Sequence, residues 1–359
     1  MSDSRRALLS ALAEGPISGP ALADRLGISR AAVWKHVEAL RDDGFEIEST
    51  GDGYAVTAVP EYGGRAIEYG LDADYDIEFH EVLGSSNDRA RELATEGREN
   101  VAVVAREQSA SRGRKNREWT APDGGVWMSL LIRPDEPPAY APLYTLAMAV
   151  AVCDAAREAG VDAGIKWPND IIVSSTRERA ASDNSSGAQA SDVVSTSEAS
   201  GGMSANADNV SANEMSEANE ETESTHGYRK LSGILTEMEG EADRVSWLVI
   251  GVGINVNLDP ATLPEGATSV SAEAGEVERR VFVQRVLERF SELAADLESV
   301  LPAWRERADT LGQRVRVHTA TGVVEGVAVD VERPGTLVVE TDDGKTRVHA
   351  GDCEHLRPT

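Results

Sequence analysis

Lysine is scarce in this sequence, with five residues (Lys35, Lys115, Lys166, Lys230 and Lys345) among 359, set against 62 acidic side chains and a formal charge of −27. A charge of that sign excludes the broad basic field that draws a protein onto nucleic acid, so bulk charge predicts no such partner. Cysteine is scarcer. Cys153 and Cys353 lie in separate parts of the chain, which excludes a disulfide framework or a zinc cluster and points to a reducing compartment. The six histidines show no metal-ligand spacing, so no dedicated protein metal site is expected, and neither a nucleophile elbow nor a Walker loop occurs. No basic start followed by an apolar run opens the chain. The most apolar stretch, Ala139 to Ala156, carries Pro142 and Asp154 and is too short and interrupted to span a bilayer. The expectation is a cytoplasmic protein with no membrane partner.

What is present in excess is carboxylate. Such a surface stays hydrated in concentrated salt, where self-repulsion is screened over only ~3 Å at about 1 M ionic strength, so the composition suits a protein that works in molar salt. An ordinary acidic cytosolic protein is the alternative. Length alone calls for two or three folding units, each with its own core.

The first 60 residues read as a winged helix-turn-helix. Leu8, Leu9 and Leu12 mark one helix; Ala21, Leu22 and Leu26 mark a second, ended by Gly27. Ser29 caps a third, in which Ala32, Val33, Val37 and Leu40 recur at helical spacing. Phe45 to Val56 alternates as a hairpin would, with Gly51-Asp-Gly53 as its turn, and supplies a wing. Ser29, Arg30, Lys35, His36 and Arg41, with Trp34, would then face DNA from the third helix and its cap. The segment nevertheless holds six basic and nine acidic residues, so a winged helix used for dimerisation, or simply retained, stays open beside regulated DNA binding.

Residues 62 to 305 alternate apolar strand-like runs with helical stretches. The strands are Ile77 to Val82, Val101 to Ala105, Val126 to Ile132, Gly164 to Trp167, Leu231 to Met238 and Trp247 to Val256; the helices are Asn87 to Glu96, Ala141 to Ala159 and Val281 to Leu297. This pattern predicts an α/β (α+β) catalytic domain. From Leu311 onward, short strands split by glycine and proline predict a small β-barrel over 310–359, forming a separate cap. Between Ser174 and Tyr228 the composition turns to Ser, Ala, Asn, Glu and Asp, with ten acidic and two basic side chains and no periodic apolar residues. Such an insertion buries too little to offset its ordering entropy and is expected to be disordered. Loop-closure cost grows only logarithmically with length, so the fold can accept it.

The segment most charged with chemistry is Gln108-Ser-Ala-Ser-Arg-Gly-Arg-Lys-Asn-Arg-Glu-Trp119, in which four cations and Gly113 suit a loop that wraps an anion. Alone, it would serve equally as a solvated basic loop or a nucleic-acid contact. Three further segments keep it company: Lys166-Trp-Pro-Asn-Asp170, Lys230-Leu-Ser-Gly-Ile-Leu-Thr-Glu237 and Gly251-Val-Gly-Ile-Asn255. Each reads alone as ordinary structure. A strand-end lysine snorkels to solvent, Ser85-Ser86-Asn87 caps a helix, and a lone Gly-x-Gly is a strand bulge.

Together, and in this order, the segments resemble the biotin protein ligases over nearly the whole chain except the insertion. The resemblance implies a catalytic domain of the class II aminoacyl-tRNA synthetase/biotin ligase fold, an N-terminal winged helix-turn-helix and a C-terminal SH3-like barrel. It implies biotin contacts from Ser85, Ser86, Asn87, Gln108, Arg112, Gly113, Arg114, Lys230 and Gly251, and nucleotide contacts from Arg117, Trp119, Lys166, Asn169 and Asn255. Lys230, Arg114 and Lys166 would act on the charge that develops during catalysis. The family loop reads Gly-Arg-Gly-Arg where this chain has Ser111-Arg112-Gly113-Arg114, so its first glycine is replaced. Biotin and ATP are the implied substrates, with Mg²⁺ on the phosphates. The implied partners are the biotin carboxyl carrier domain of a carboxylase, a DNA operator and a second copy of the chain when adenylate is bound. A lipoate or octanoate ligase, and a biotin-sensing regulator without transfer activity, are the rival readings.

The salt reading is checked by dialysis: the protein is expected to unfold on transfer from molar to low salt, followed by circular dichroism. A sharp melting transition that ignores salt concentration would contradict it.

Overall fold

A computed structural model describes residues 2–113, 119–174, 227–241 and 243–356. The expected disordered insertion, apart from its flanks, and the loop residues Arg114 and Arg117 lie outside the described residues.

The N-terminal unit folds as its periodicity requires. Helices α1 (Ser2–Ala13), α2 (Gly19–Leu26) and α3 (Arg30–Asp42) precede a hairpin of β1 (Glu46–Thr50) and β2 (Gly53–Ala58). The hydroxyls of Ser18 and Ser29 accept the Ala21 and Ala32 N–H groups, capping α2 and α3. Leu8, Leu9, Leu12, Leu22, Val33, Val37, Leu40 and Phe45 close a core of their own beneath the wing.

The central unit is a seven-stranded sheet in the order β3-β4-β5-β9-β8-β7-β6. Its strands are β3 (Asp76–Leu83), β4 (Val101–Gln108), β5 (Val126–Ile132), β6 (Ala163–Lys166), β7 (Asp170–Ser174), β8 (Tyr228–Gly240) and β9 (Val245–Ile254). Only β3 and β4 run parallel; every other neighbouring pair is antiparallel. All seven residues of β5 are buried, as suits a strand covered on both faces. On one face α5 (Ser86–Thr95) packs Ala90, Leu93 and Ala94 onto β4, β5 and β9. On the other lies α6 (Ala141–Glu158), which explains the most apolar stretch of the sequence. The run Pro138–Glu158 has the length and composition to cross a membrane, but α6 is packed against the sheet and two further helices. Its Asp154 lies near the C-terminal end and is held by Arg289 and Arg307.

Those helices are α8 (Arg279–Ala295) and α9 (Val300–Arg307); short α4 (Gly64–Glu68) and α7 (Val270–Ala274) complete the set among the described residues. The periodicity did not predict α9, because Pro302 sits inside it; proline is tolerated there in the first turn, where its missing N–H costs no helical bond. Arg279 joins the linker from the winged helix to the catalytic unit. Its guanidinium grips Glu61 with three bonds (2.9, 3.3 and 2.8 Å), reaches Asp123 at 2.7 Å and lies over the Tyr62 ring.

The C-terminal strands β10 (Arg314–Thr319), β11 (Gly322–Glu332), β12 (Thr336–Thr341), β13 (Gly344–Val348) and β14 (Asp352–His355) form a five-stranded sheet in the order β13-β12-β11-β10-β14. The expectation of a separate cap is corrected here. Val315, Val317, Ala328, Leu337, Val339 and Cys353 belong to one continuous hydrophobic cluster with α6 and Trp304. The Trp167 indole donates to the Gly335 carbonyl and its backbone N–H to Thr310 Oγ1, both at 2.9 Å. The barrel pattern in the sequence shows strands and turns but not which apolar faces are shared.

His355 sits in this seam, 3.1 Å from Thr310 Oγ1 and edge-on to Tyr228. Burial, with the Lys166 charge nearby, pulls its pKa down to about 4. Because the folded value lies below the unfolded one, the neutral ring's contribution is present above about pH 6.5 and is lost as pH falls through 4. Unfolding midpoints measured from pH 7 to 4 should therefore drop in the wild type, and His355→Gln should flatten that drop. An equal slope in both proteins would remove His355 from the account.

Candidate active site

The hairpin β6–β7 turns on Trp167-Pro168-Asn169, which places Lys166 directly opposite Asp170 in the ladder. Across the next ladder Asp170 faces Gly233, and β8 carries Lys230 into the same space. One carboxylate therefore meets two ammonium groups, with Lys230 Nζ 2.6 Å from Asp170 Oδ1 and Lys166 Nζ 3.1 Å from Oδ2. Lys166 is only 8% exposed, so it is not the snorkelling strand-end lysine of the ordinary reading. Burial alone would raise the Asp170 pKa, but the two lysine charges and their hydrogen bonds outweigh it and hold the carboxyl at about 2. Burial likewise works against charge on Lys166, and the Asp170 and Tyr228 partners reverse the balance, so its pKa is raised.

This cluster stands on the wall of a cavity of about 980 Å³ between β8, β9, α5 and the start of the arginine segment. The structure brings together Ser85, Ser86, Asn87, Gln108, Arg112, Gly113, Trp119, Asn169, Lys230, Gly251 and Asn255 on its lining. Lys166 stands behind them, reaching the cavity through Asp170. Arg114 and Arg117 lie outside the described residues. Ser85 is both cap and lining: its Oγ accepts from the Asp88 N–H while the residue faces the cavity. The Ser86 N–H donates to Gln108 Oε1 at 2.7 Å. Asn87 Nδ2 donates to Glu237 at 2.6 Å, and the Ser129 hydroxyl lies 2.5 Å from Asn87 Oδ1 and 2.7 Å from Ser86 Oγ. Arg112 leans back on Asp88 at 3.0 Å.

Three expected contacts change character. A Cβ on Gly251 would stand 2.1 Å from Asn87 Oδ1, so this glycine makes room for Asn87. The Asn169 amide donates to the Ile234 carbonyl at 2.6 Å and that of Asn255 to the Thr268 carbonyl at 3.0 Å. Both asparagines thus hold backbone at the cavity wall. Sequence reasoning missed Asp170, Glu237, Ser129 and Asp352 as lining or supporting groups. Glu237 was legible in principle, since it lies two strand periods from Gly233 and so on the same face. Asp352 comes from β14 and has no local signal.

On the winged helix, Arg30 and Lys35 are exposed, His36 is half-buried and Trp34 is 55% exposed. Ser29 is occupied as the cap of α3. Arg41 departs from its expected place among the DNA-facing residues. Its guanidinium donates to the Ile47 carbonyl at 3.1 and 2.5 Å and to Glu38 at 2.6 Å, tying α3 to the wing.

Comparison with known proteins now decides the lineage. Residues 85–255 match the biotin/lipoate A/B protein ligase family, 5–55 an HTH domain and 310–356 the biotin protein ligase C-terminal domain. The bifunctional ligase/repressor BirA of Bacillus subtilis is 33% identical over 356 residues, covering 94% of this chain and 93% of that protein. The chain belongs to the biotin protein ligases of the bifunctional ligase/repressor type. The BirA of Escherichia coli K12 is 24% identical, covering 93% of this chain and 92% of its own length. Among solved structures, the biotin protein ligase from Aquifex aeolicus in complex with biotin and ATP superposes with a TM-score of 0.56 at 20% identity. That superposition covers 78% of this chain and 99% of the Aquifex chain, and establishes the fold.

In this ligase the Lys166–Asp170–Lys230 cluster has a distinct acid signature. The Asp170 contribution is complete above its unfolded pKa near 3.8 and is lost as pH falls towards 2. Asp170→Asn is expected to lose about 3 kcal/mol of stability by leaving two close cations without their counter-ion, read by urea unfolding at pH 7. Unchanged stability at pH 7 would show that the lysines do not need Asp170.

Proposed function

We propose that the chain activates biotin with ATP and transfers it to a protein lysine. In the first step a biotin carboxylate oxygen attacks the α-phosphorus, the bond to pyrophosphate breaks, and biotinyl-5′-AMP forms. In the second, the ε-amine of a lysine on a biotin carboxyl carrier domain attacks the acyl carbon, and AMP leaves with the bonding pair while the amine loses its proton. The observation that carries this reading is Lys230 at the cavity wall, held on Asp170 with Lys166 close behind. Two anions must meet in the first step, and preorganised cations stabilise the charge that builds there. Lys230 is assigned to the biotin carboxylate and α-phosphate, Lys166 to the adenylate's phosphate and carbonyl oxygens.

Ser85, Ser86, Asn87 and Gln108 are a hydroxyl and amide set suited to a cyclic urea, which offers one carbonyl acceptor and two N–H donors. Arg112, Gly113 and Arg114 are assigned to the biotin side of the adenylate, and Arg117 and Trp119 to its nucleotide. Asn169, Asn255 and Gly251 serve by shaping the walls around them. Magnesium would enter on the phosphates of ATP, since the carboxylate nearest the lysines is engaged by them. Shielding the mixed anhydride from water is assigned to the arginine segment 112–117.

The winged helix adds a second role. With adenylate bound, the protein is proposed to dimerise and to repress transcription at a DNA operator through Arg30, Lys35 and His36, working in the cytoplasm. The match at 310–356 favours biotin over lipoate, because that segment carries the biotin protein ligase C-terminal model.

Labelled biotin, a carrier domain, ATP and magnesium in molar potassium chloride test the reading, with lipoate as competitor. Label is expected on the carrier lysine and undiminished by lipoate; tight biotin binding without transfer would favour a sensor. Lys230→Ala is expected to abolish pyrophosphate release, and Arg114→Ala to let adenylate escape into solution. Full activity in both variants would refute the assignment of roles.

A further inference from the structure

Residue 111 is where this chain departs from the family's glycine, and the structure shows what the serine does. Two bonds join it to Trp119, on the far side of the arginine segment. The Trp119 N–H donates to the Ser111 carbonyl at 3.3 Å, and the Ser111 hydroxyl donates to the Trp119 carbonyl. Any residue at 111 can make the first bond. The second needs a side-chain donor, which neither glycine nor alanine has.

The residue so fastened is central to the cavity. Gly233 and Gly253 face each other across β8 and β9 and form a floor without side chains. The Trp119 ring lies on it: a Cβ on Gly253 would stand 2.8 Å from the indole nitrogen, and one on Gly233 3.4 Å from the ring edge. Trp127 meets the ring edge-on at 6.5 Å, and Lys230 Nζ lies 5.3 Å from its centroid. The indole N–H is buried and has no hydrogen-bond partner among the described residues. The ring is therefore placed by its van der Waals contacts and by its backbone, and the backbone is what Ser111 holds.

We propose that Ser111 is a positioning residue for the nucleotide half of the site. By fixing the Trp119 carbonyl it sets where the indole rests on the Gly233–Gly253 floor, and hence the space left beside Lys230 for a purine nucleotide. The proposal rests on the ligase reading for its substrate. Its geometric content, the hold of Ser111 on Trp119, stands apart from that reading.

The test uses the full chain as wild type, Ser111→Ala and Ser111→Thr, with two readouts. In steady-state pyrophosphate release, Ser111→Ala should raise the KM for ATP about five-fold, the change expected for one lost hydrogen bond, with kcat within two-fold. Ser111→Thr, which keeps the hydroxyl, should return KM to near the wild-type value. In acrylamide quenching, the signal of Trp119 is taken as the difference between each protein and its Trp119→Phe version. That difference should show greater quenching in Ser111→Ala than in the wild type or Ser111→Thr. An unchanged KM in Ser111→Ala, equal impairment of both variants, or equal Trp119 quenching in all three proteins would overturn the proposal. If the wild type released no pyrophosphate from biotin and ATP, the ligase reading would fall, and the quenching result alone would still decide whether Ser111 places Trp119.

Discussion

Two ammonium groups on one half-buried carboxylate form the interaction on which the rest of this molecule is arranged. Lys166 and Asp170 face each other across a tight hairpin, Lys230 arrives from the neighbouring strand, and all three must keep register for the contacts of 2.6 and 3.1 Å to exist. A one-residue slip in β8 would turn Lys230 to the opposite face. The turn of the same hairpin also anchors the C-terminal sheet, because Trp167 donates to both Thr310 and Gly335. Charge placement and domain docking thus share one hairpin, its last ladder pair and its turn. The cluster as a whole carries one net positive charge, and on the proposed reading an incoming carboxylate or phosphate would complete the neutralisation that Asp170 begins. Holding cations in place before the ligand arrives is costly for stability and useful for catalysis, since no reorganisation is needed when negative charge develops.

Around that cluster, much of the cavity is built by residues that make room for one another. Gly251 admits Asn87; Gly233 and Gly253 admit Trp119; Asn169 and Asn255 hold strand and loop carbonyls that frame the wall. Glu237 and Ser129 in turn fix the amide of Asn87, whose orientation decides whether it offers a donor or an acceptor to a ligand. On the proposed role of Asn87 as a biotin contact, specificity for a small polar ring would depend on a chain of supports two residues deep, and a change at Ser129 or Glu237 would reach the ligand through Asn87.

This arrangement explains what could be read from the sequence and what could not. The strands were legible because their β-branched and apolar runs are long enough to show a period, and β5 is observed at Val126–Ile132 as expected. The helix caps Ser29 and Ser85 were legible because a cap needs only its own next turn. The order of the charged segments was enough to indicate their common site. Asp170 was written inside a recognised segment but not assigned, because its significance comes from Lys230 across another strand, and strand pairing is not a local property. The Arg41 contacts were hidden for the same reason: spacing placed it on the helix, while the Ile47 carbonyl it donates to lies in the wing. Helix α9 was hidden by Pro302, and the shared core beneath β10–β14 by the fact that alternation marks an inward face without naming what it packs against.

The acidic surface ties these points to DNA recognition. Arginines on the described surface are repeatedly engaged by neighbours, as in Arg25–Glu14, Arg285–Glu158, Arg316–Glu325 and Arg347–Glu332. Exposed pairs of this kind add little stability, and less as salt rises. The fold must therefore rest on its cores, while salt acts mainly by screening the carboxylates left in excess. The same screening weakens phosphate contacts, and of the arginines and lysines on α3, Arg30 and Lys35 stand exposed while Arg41 is committed to the wing. A binding face with so few cations gains little from the electrostatic term in any salt. On the proposed reading of an operator-bound dimer, affinity would come from base-edge contacts, from the apolar surface of Trp34 and from pairing two winged helices, and the last of these multiplies a weak contact without requiring more charge.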